Sequence, residues 1–207
     1  MSIRCGVNVH RFDAAIEAAL MVIRPGIMVV SNPEWGILER CKAAFAPLII
    51  LRVFDGDNYD CRGSDSLHLA ALTNLQLAGH RGMVDAVQSY NECVTDNNAA
   101  EQLPRELAYV RVMHDLGVKV CALNAAVGNL DPVAVPLMLD LWREADWIGY
   151  HGYLGPNAMK VTEDGGDWYL RRPEKLWLPT LAAHGLDLGK LIFTETGTYA
   201  APKMPWA

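Results

Sequence analysis

Two glutamates each close an apolar run, in Ser89-Tyr90-Asn91-Glu92 and in Phe193-Thr194-Glu195-Thr196-Gly197, about a hundred residues apart. If both runs are parallel strands, their ends bring two carboxyls over one pocket. Such a pair is the apparatus for splitting a glycosidic bond: one carboxylic acid protonates the leaving oxygen while a carboxylate about 5 Å away attacks the anomeric carbon. Their pKa values must then differ, one group holding its proton and the other giving it up. A lone glutamate at a strand end is ordinarily a solvated loop charge. The weight therefore rests on the pairing and on what else collects at the same rim.

The elements that must position these residues alternate along the chain. Apolar, β-branched stretches recur, each followed by a longer stretch with helical periodicity. The reading predicts strands at Cys5–Val9, Ile27–Val30, Leu48–Phe54, Val84–Tyr90, Val118–Leu123, Trp147–Tyr150 and Leu191–Thr194. Helices are predicted over Phe12–Ile23, from Ser31 or Asn32 with Pro33 in the first turn to Phe45, and over Ser66–Ala78, Glu101–Leu116, Pro132–Ala145 and Pro173–His184. No linker or low-complexity segment interrupts residues 1–207, so one continuous α/β domain is expected.

A doubly wound sheet would carry a glycine-rich phosphate turn after its first strand, and Asn8-Val9-His10-Arg11-Phe12 has no such glycines. A TIM (β/α)8-type barrel gathers its chemistry at the carboxyl ends of several strands. Polar residues do collect there: His10, Asp55, Asn91, Glu92, Asn124, His151, Tyr153 and Glu195. Only twelve residues follow Glu195, too few for an eighth strand and helix, so the expected barrel lacks its eighth unit. Arg52 interrupts an otherwise apolar strand. It either reaches the barrel mouth to pair with a carboxylate such as Glu195 or marks a misplaced strand end.

On Asn91-Glu92 after the fourth strand, His151-Gly152-Tyr153 after the sixth and Glu195 after the seventh, the chain resembles the retaining barrel glycosidases that include the family 5 cellulase-like and mannanase-like enzymes. The resemblance implies Glu92 as acid/base, with a pKa raised by nearby negative charge and partial burial, and Glu195 as nucleophile, kept ionised by hydrogen bonds with Tyr153 as one donor. It places Asn91 on the sugar 2-hydroxyl and His151 on the sugar or on a carboxylate. It implies a carbohydrate substrate and no metal or organic cofactor. Among the residues themselves, His10 and Arg52 join the substrate-binding candidates, and Trp168, in the glycine-rich loop after the sixth strand, offers an apolar face for a sugar ring. Trp35, Trp142 and Trp177 fall within helices and are expected to pack on the barrel.

Composition excludes several classes. The net charge is −6 and the basic residues form no run longer than Arg171-Arg172, so no nucleic-acid footprint is present. No apolar run approaches the ~20 residues of a membrane span. Neither a secretory leader nor a CxxC pair is visible, and Cys5, Cys41, Cys61, Cys93 and Cys121 read as scattered reduced thiols, which suggests a cytoplasmic setting. HExxH, P-loop and GxSxG patterns are missing. Two alternatives keep the same rim residues: an inactive carbohydrate-binding barrel, and a divalent-metal barrel of the sugar-isomerase or endonuclease kind.

Overall fold

The computed structural model describes residues 6–53, 65–154 and 171–198, with backbone alone at 153–154 and 196–198. Seven strands, β1 (Gly6–Val9), β2 (Ile27–Ser31), β3 (Leu48–Arg52), β4 (Ala86–Gln88), β5 (Val120–Ala125), β6 (Trp147–Leu154) and β7 (Leu191–Thr198), pair in chain order. Every ladder is parallel. Among the described residues β1 and β7 approach one another without pairing, so the barrel is nearly closed, with a seam between these two strands.

The helices are α1 (Ala14–Ile23), α2 (Trp35–Phe45), α3 (Ser66–Gln76), α4 (Ala99–Asp115), α5 (Leu139–Glu144) and α6 (Leu178–Ala183). The carboxylates of Asp13, Glu34 and Asp65 cap α1, α2 and α3 by accepting the Ile16, Ile37 and His68 amides. The α2 cap is thus Glu34, not Ser31 or Asn32. Ser31 is instead the last residue of β2, and Asn32 turns the chain with a φ of 48°. The predicted helix over Pro132–Ala145 is a short 3-10 turn at Val135–Met138 followed by α5, and a π turn at Pro173–Trp177 precedes α6.

Strand alternation sorts the apolar residues into two layers. Met28, Val30, Ile49, Leu51, Val87 and Ile148 belong to the large core between strands and helices. Val29, Ile50, Ala86, Cys121 and Ile192 form a smaller core inside the barrel, with Ile27, Leu48 and Trp147 beneath. Trp142 and Trp177 are buried as expected; Tyr150 meets Trp177 edge-on, and its hydroxyl bonds to the Gly128 backbone. Trp35 is half-buried and stacks on His80 at 4.1 Å.

Two irregularities break the alternation where the site needs it broken. Between β6 and β7 the register slips: Tyr150 pairs with Phe193 but His151 pairs with Glu195, leaving Thr194 as the extra residue. Without this bulge Glu195 would follow the parity of Phe193 and face the helices; with it, Glu195 turns inward beside His151. In β5, Leu123 and Asn124 adopt left-handed φ values of 72° and 38°, and the ladder to β6 is irregular between Ala122 and Ala125. That turns the Asn124 amide into the barrel, where Thr194 Oγ1 donates to its Oδ1 at 3.4 Å. A Cβ on Gly149 would lie 2.0 Å from the same oxygen, so only glycine fits opposite Asn124.

Candidate active site

Above the interior apolar layer lies a polar one, made of Asn8, Ser31, Arg52, Gln88, Asn124 and Thr194 from six strands. Glu195 sits over it. The Arg52 guanidinium donates to Glu195 Oε1 at 2.7 Å, and Asn8 Nδ2 donates to the same oxygen at 3.2 Å. Of the two readings open for Arg52, the structure takes the pairing one: its side chain is 4% exposed and that of Glu195 19%. A buried guanidinium and an amide thus converge on one oxygen and fix the orientation of the carboxylate.

Glu92 comes from the turn after β4. The strand ends at Gln88, earlier than predicted, and the backbone at Glu92 is left-handed with a φ of 54°. Its amide donates to the Asn124 carbonyl at 3.1 Å, which anchors the turn to β5. The side chain then meets His151: Nδ1 lies 2.6 Å from Glu92 Oε1 and 3.7 Å from Glu195 Oε2. One oxygen of each carboxyl and one nitrogen of His151 all lie within 4.8 Å of one another.

The direction of the Glu92 pKa departs from expectation. It is lowered, first by the hydrogen bond from His151 and then by the charges of His151 and Arg52, against desolvation that raises it.

The remaining candidates divide. Asn91 is buried, and its Oδ1 accepts from Gln88 Nε2 at 3.3 Å, so the side chain is already anchored beside the site. His10 is exposed at the end of β1 and lines, with Asn8, Phe193, Thr194 and Glu195, a cavity of about 420 Å³ at the seam. Tyr153 lies on β6, but its side chain, like the whole of Trp168 and Asp55, falls outside the described residues. Sequence reasoning passed over Asn8 as a site residue. Its spacing of two from His10 along the first strand was the available signal.

No protein-family model matches the chain, and no curated protein matches it. Among solved structures, a family 39 glycoside hydrolase from the gut symbiont Bacteroides cellulosilyticus superposes with a TM-score of 0.62 at 12% identity, covering 94% of this chain and 49% of that one. The GH39 enzyme from Xanthomonas axonopodis pv. citri gives a TM-score of 0.57, also at 12% identity, over 97% of this chain and 52% of the other. The fold of this chain is the parallel (β/α) barrel of these structures. The chain spans about half the length of these structures.

Within that barrel, Glu92, His151 and Glu195 are also a donor set of the kind divalent cations take. Glu195 Oε1, however, is occupied by Arg52 and Asn8, and a guanidinium 2.7 Å away repels a second positive charge. The expectation of five reduced thiols needs correction. Cys41 and Cys121 are free and buried, but Cys93, the residue after Glu92, is disulfide-bonded, with its partner outside the described residues. Cysteine usage therefore no longer argues for a cytoplasmic setting. Among the described residues no helix is long and apolar enough to cross a membrane.

Proposed function

We propose that this barrel hydrolyses a β-linked glycoside or oligosaccharide with retention, Glu195 attacking the anomeric carbon and Glu92 serving as acid and then base. The observation that carries the reading is the carboxyl separation: oxygens of Glu92 and Glu195 lie within 4.8 Å, the spacing of double displacement, whereas inversion needs a gap of about 6.5–9.5 Å to admit a water. The asymmetry of their partners supports the roles. Glu195 receives Arg52 and Asn8, which orient it for the role of nucleophile. Glu92 is held by His151 Nδ1 at 2.6 Å from Oε1, and when protonated it gives its proton to the leaving oxygen that enters beside it. Asn91 stands next to Glu92 for the sugar 2-hydroxyl, and Trp168 is the proposed stacking platform.

The test is hydrolysis of a panel of aryl glycosides. Glu195→Gln and Glu92→Gln should each cut kcat/KM by about 10²–10⁴-fold. A 2-deoxy-2-fluoro glycoside with a good leaving group should leave a sugar covalently attached at Glu195. Carbohydrate binding without turnover would sink the enzyme reading in favour of a binding barrel. Loss of activity on chelation would sink the metal-free mechanism.

A further inference from the structure

Helix α4 buries one carboxyl that the proposed chemistry does not touch. Glu106 is 1% exposed, and although its helix lies outside the barrel, its Oε2 reaches the strand ends. There it accepts from Ser89 Oγ, one residue past β4, and from the Leu123 amide of β5 at 3.1 Å. Oε1 has no partner among the described residues. Tyr90, Tyr109 and Cys121 are the titratable groups that feel its charge, and no basic side chain among the described residues contributes to its own ionisation.

Each of the two segments clamped by Glu106 contains left-handed backbone: Glu92 on one side, Leu123 and Asn124 on the other. They are also tied to each other. The Asn124 carbonyl takes the Glu92 amide at 3.1 Å, while Asn124 Nδ2 donates to Ser89 Oγ at 3.4 Å and to the Tyr90 carbonyl at 3.3 Å. Non-glycine residues hold such φ values only where the surroundings over-determine them. Glu106 supplies the acceptor for both Ser89 and Leu123; an apolar residue would leave a buried amide and a buried hydroxyl unmatched.

We propose that Glu106 is a positioning residue for Glu92, acting through Ser89, Leu123 and Asn124 to hold the left-handed turn that aims Glu92 at His151 and Glu195. Burial pushes the Glu106 pKa up to about 7, so the clamp changes charge state near neutrality. The proposal rests on the glycosidase reading only for its kinetic readout.

The test compares Glu106→Leu, Glu106→Gln and a buried control far from the site, Leu181→Ala, in the 207-residue chain. Amide exchange at Glu92 and the NMR signal of the His151 Nδ1 proton report the turn directly. Glu106→Leu should lower Glu92 protection roughly tenfold beyond the control and abolish the His151 signal. If the chain is an active glycosidase, kcat should fall about 10²-fold with KM nearly unchanged. Glu106→Gln, which keeps one acceptor oxygen, should restore part of each effect. If Glu106→Leu fails to fold, Glu106→Gln decides the matter: Glu92 protection lowered beyond that of Leu181→Ala supports the clamp, and protection equal to it overturns the clamp. Exchange and His151 signals in Glu106→Leu equal to those of Leu181→Ala would likewise overturn the proposal. An absence of glycosidase activity in every variant would overturn the enzyme reading alone, because the exchange and NMR results stand without it.

Discussion

His151 is the residue on which the site turns. It is wholly buried, touches both carboxyls through one nitrogen and supplies the largest influence lowering the Glu92 pKa. Removing it takes away the donor that favours the ionised form, so the protonated acid persists to higher pH. In His151→Ala the basic limb of the kcat/KM profile should therefore move upward; a limb that stays in place would assign it to another group. Arg52 shows how far single residues were legible in the sequence. A charged side chain in an apolar strand announced that it needed a partner, and of the two readings the pairing with Glu195 is the one found. The Glu92 pKa was not legible, because its sign depends on whether burial or the contacts with His151 and Arg52 prevail, and that is a matter of ångströms. Asn8 was hidden for a similar reason: nothing in a short polar side chain on a strand reveals that it faces a carboxylate across a seam.

At the scale of elements, the strand count was readable from periodicity and punctuation: β6 and β7 carry His151 and Glu195, and Glu92 follows β4 in the turn beyond its end. The strand ends were less so. β6 and β7 run on to Leu154 and Thr198, and β4 stops at Gln88. The bulge that turns Glu195 inward and the left-handed pair in β5 follow from contacts between strands, which alternation along one strand cannot reveal. Gly149 exposes that dependence. In Gly149→Ala the new methyl would overlap Asn124 Oδ1, displacing the amide that ties β5 to Tyr90 and Thr194. The variant should lose about 1–3 kcal/mol in denaturant unfolding together with most of its activity; full stability would show that β5 relaxes freely. Glu106 gives α4 a pH signature of its own. Its pKa is raised by burial from 4.5 to about 7, so its contribution is whole below 4.5 and is lost as pH rises through 7. The loss is on the order of 3 kcal/mol. Urea midpoints should fall between pH 4.5 and 7 in the parent chain and flatten over that interval in Glu106→Gln.

On the scale of the whole molecule, the barrel class was foreseeable because two-layer burial leaves its mark on nearly every strand: Leu48 to Leu51 is apolar on both faces, as a covered parallel strand requires. The cysteines misled because scattered spacing carries no information on which thiols meet in space. With Cys93 in a disulfide, two of the five cysteines are consumed, so the denatured, unreduced protein should titrate three thiols. Five would show the bond absent.

The seam between β1 and β7 bears on how the molecule responds to a ligand. A closed barrel resists radial strain as a hoop does; this one is interrupted at a single meridian, and the Asn8 to Glu195 hydrogen bond clasps it from the inside. The proposed chemistry and the mechanical closure thus share one carboxylate. A sugar that engaged Glu195 on one margin and Asn8 or His10 on the other would act as a stave across the gap, converting occupancy into circumferential stiffness.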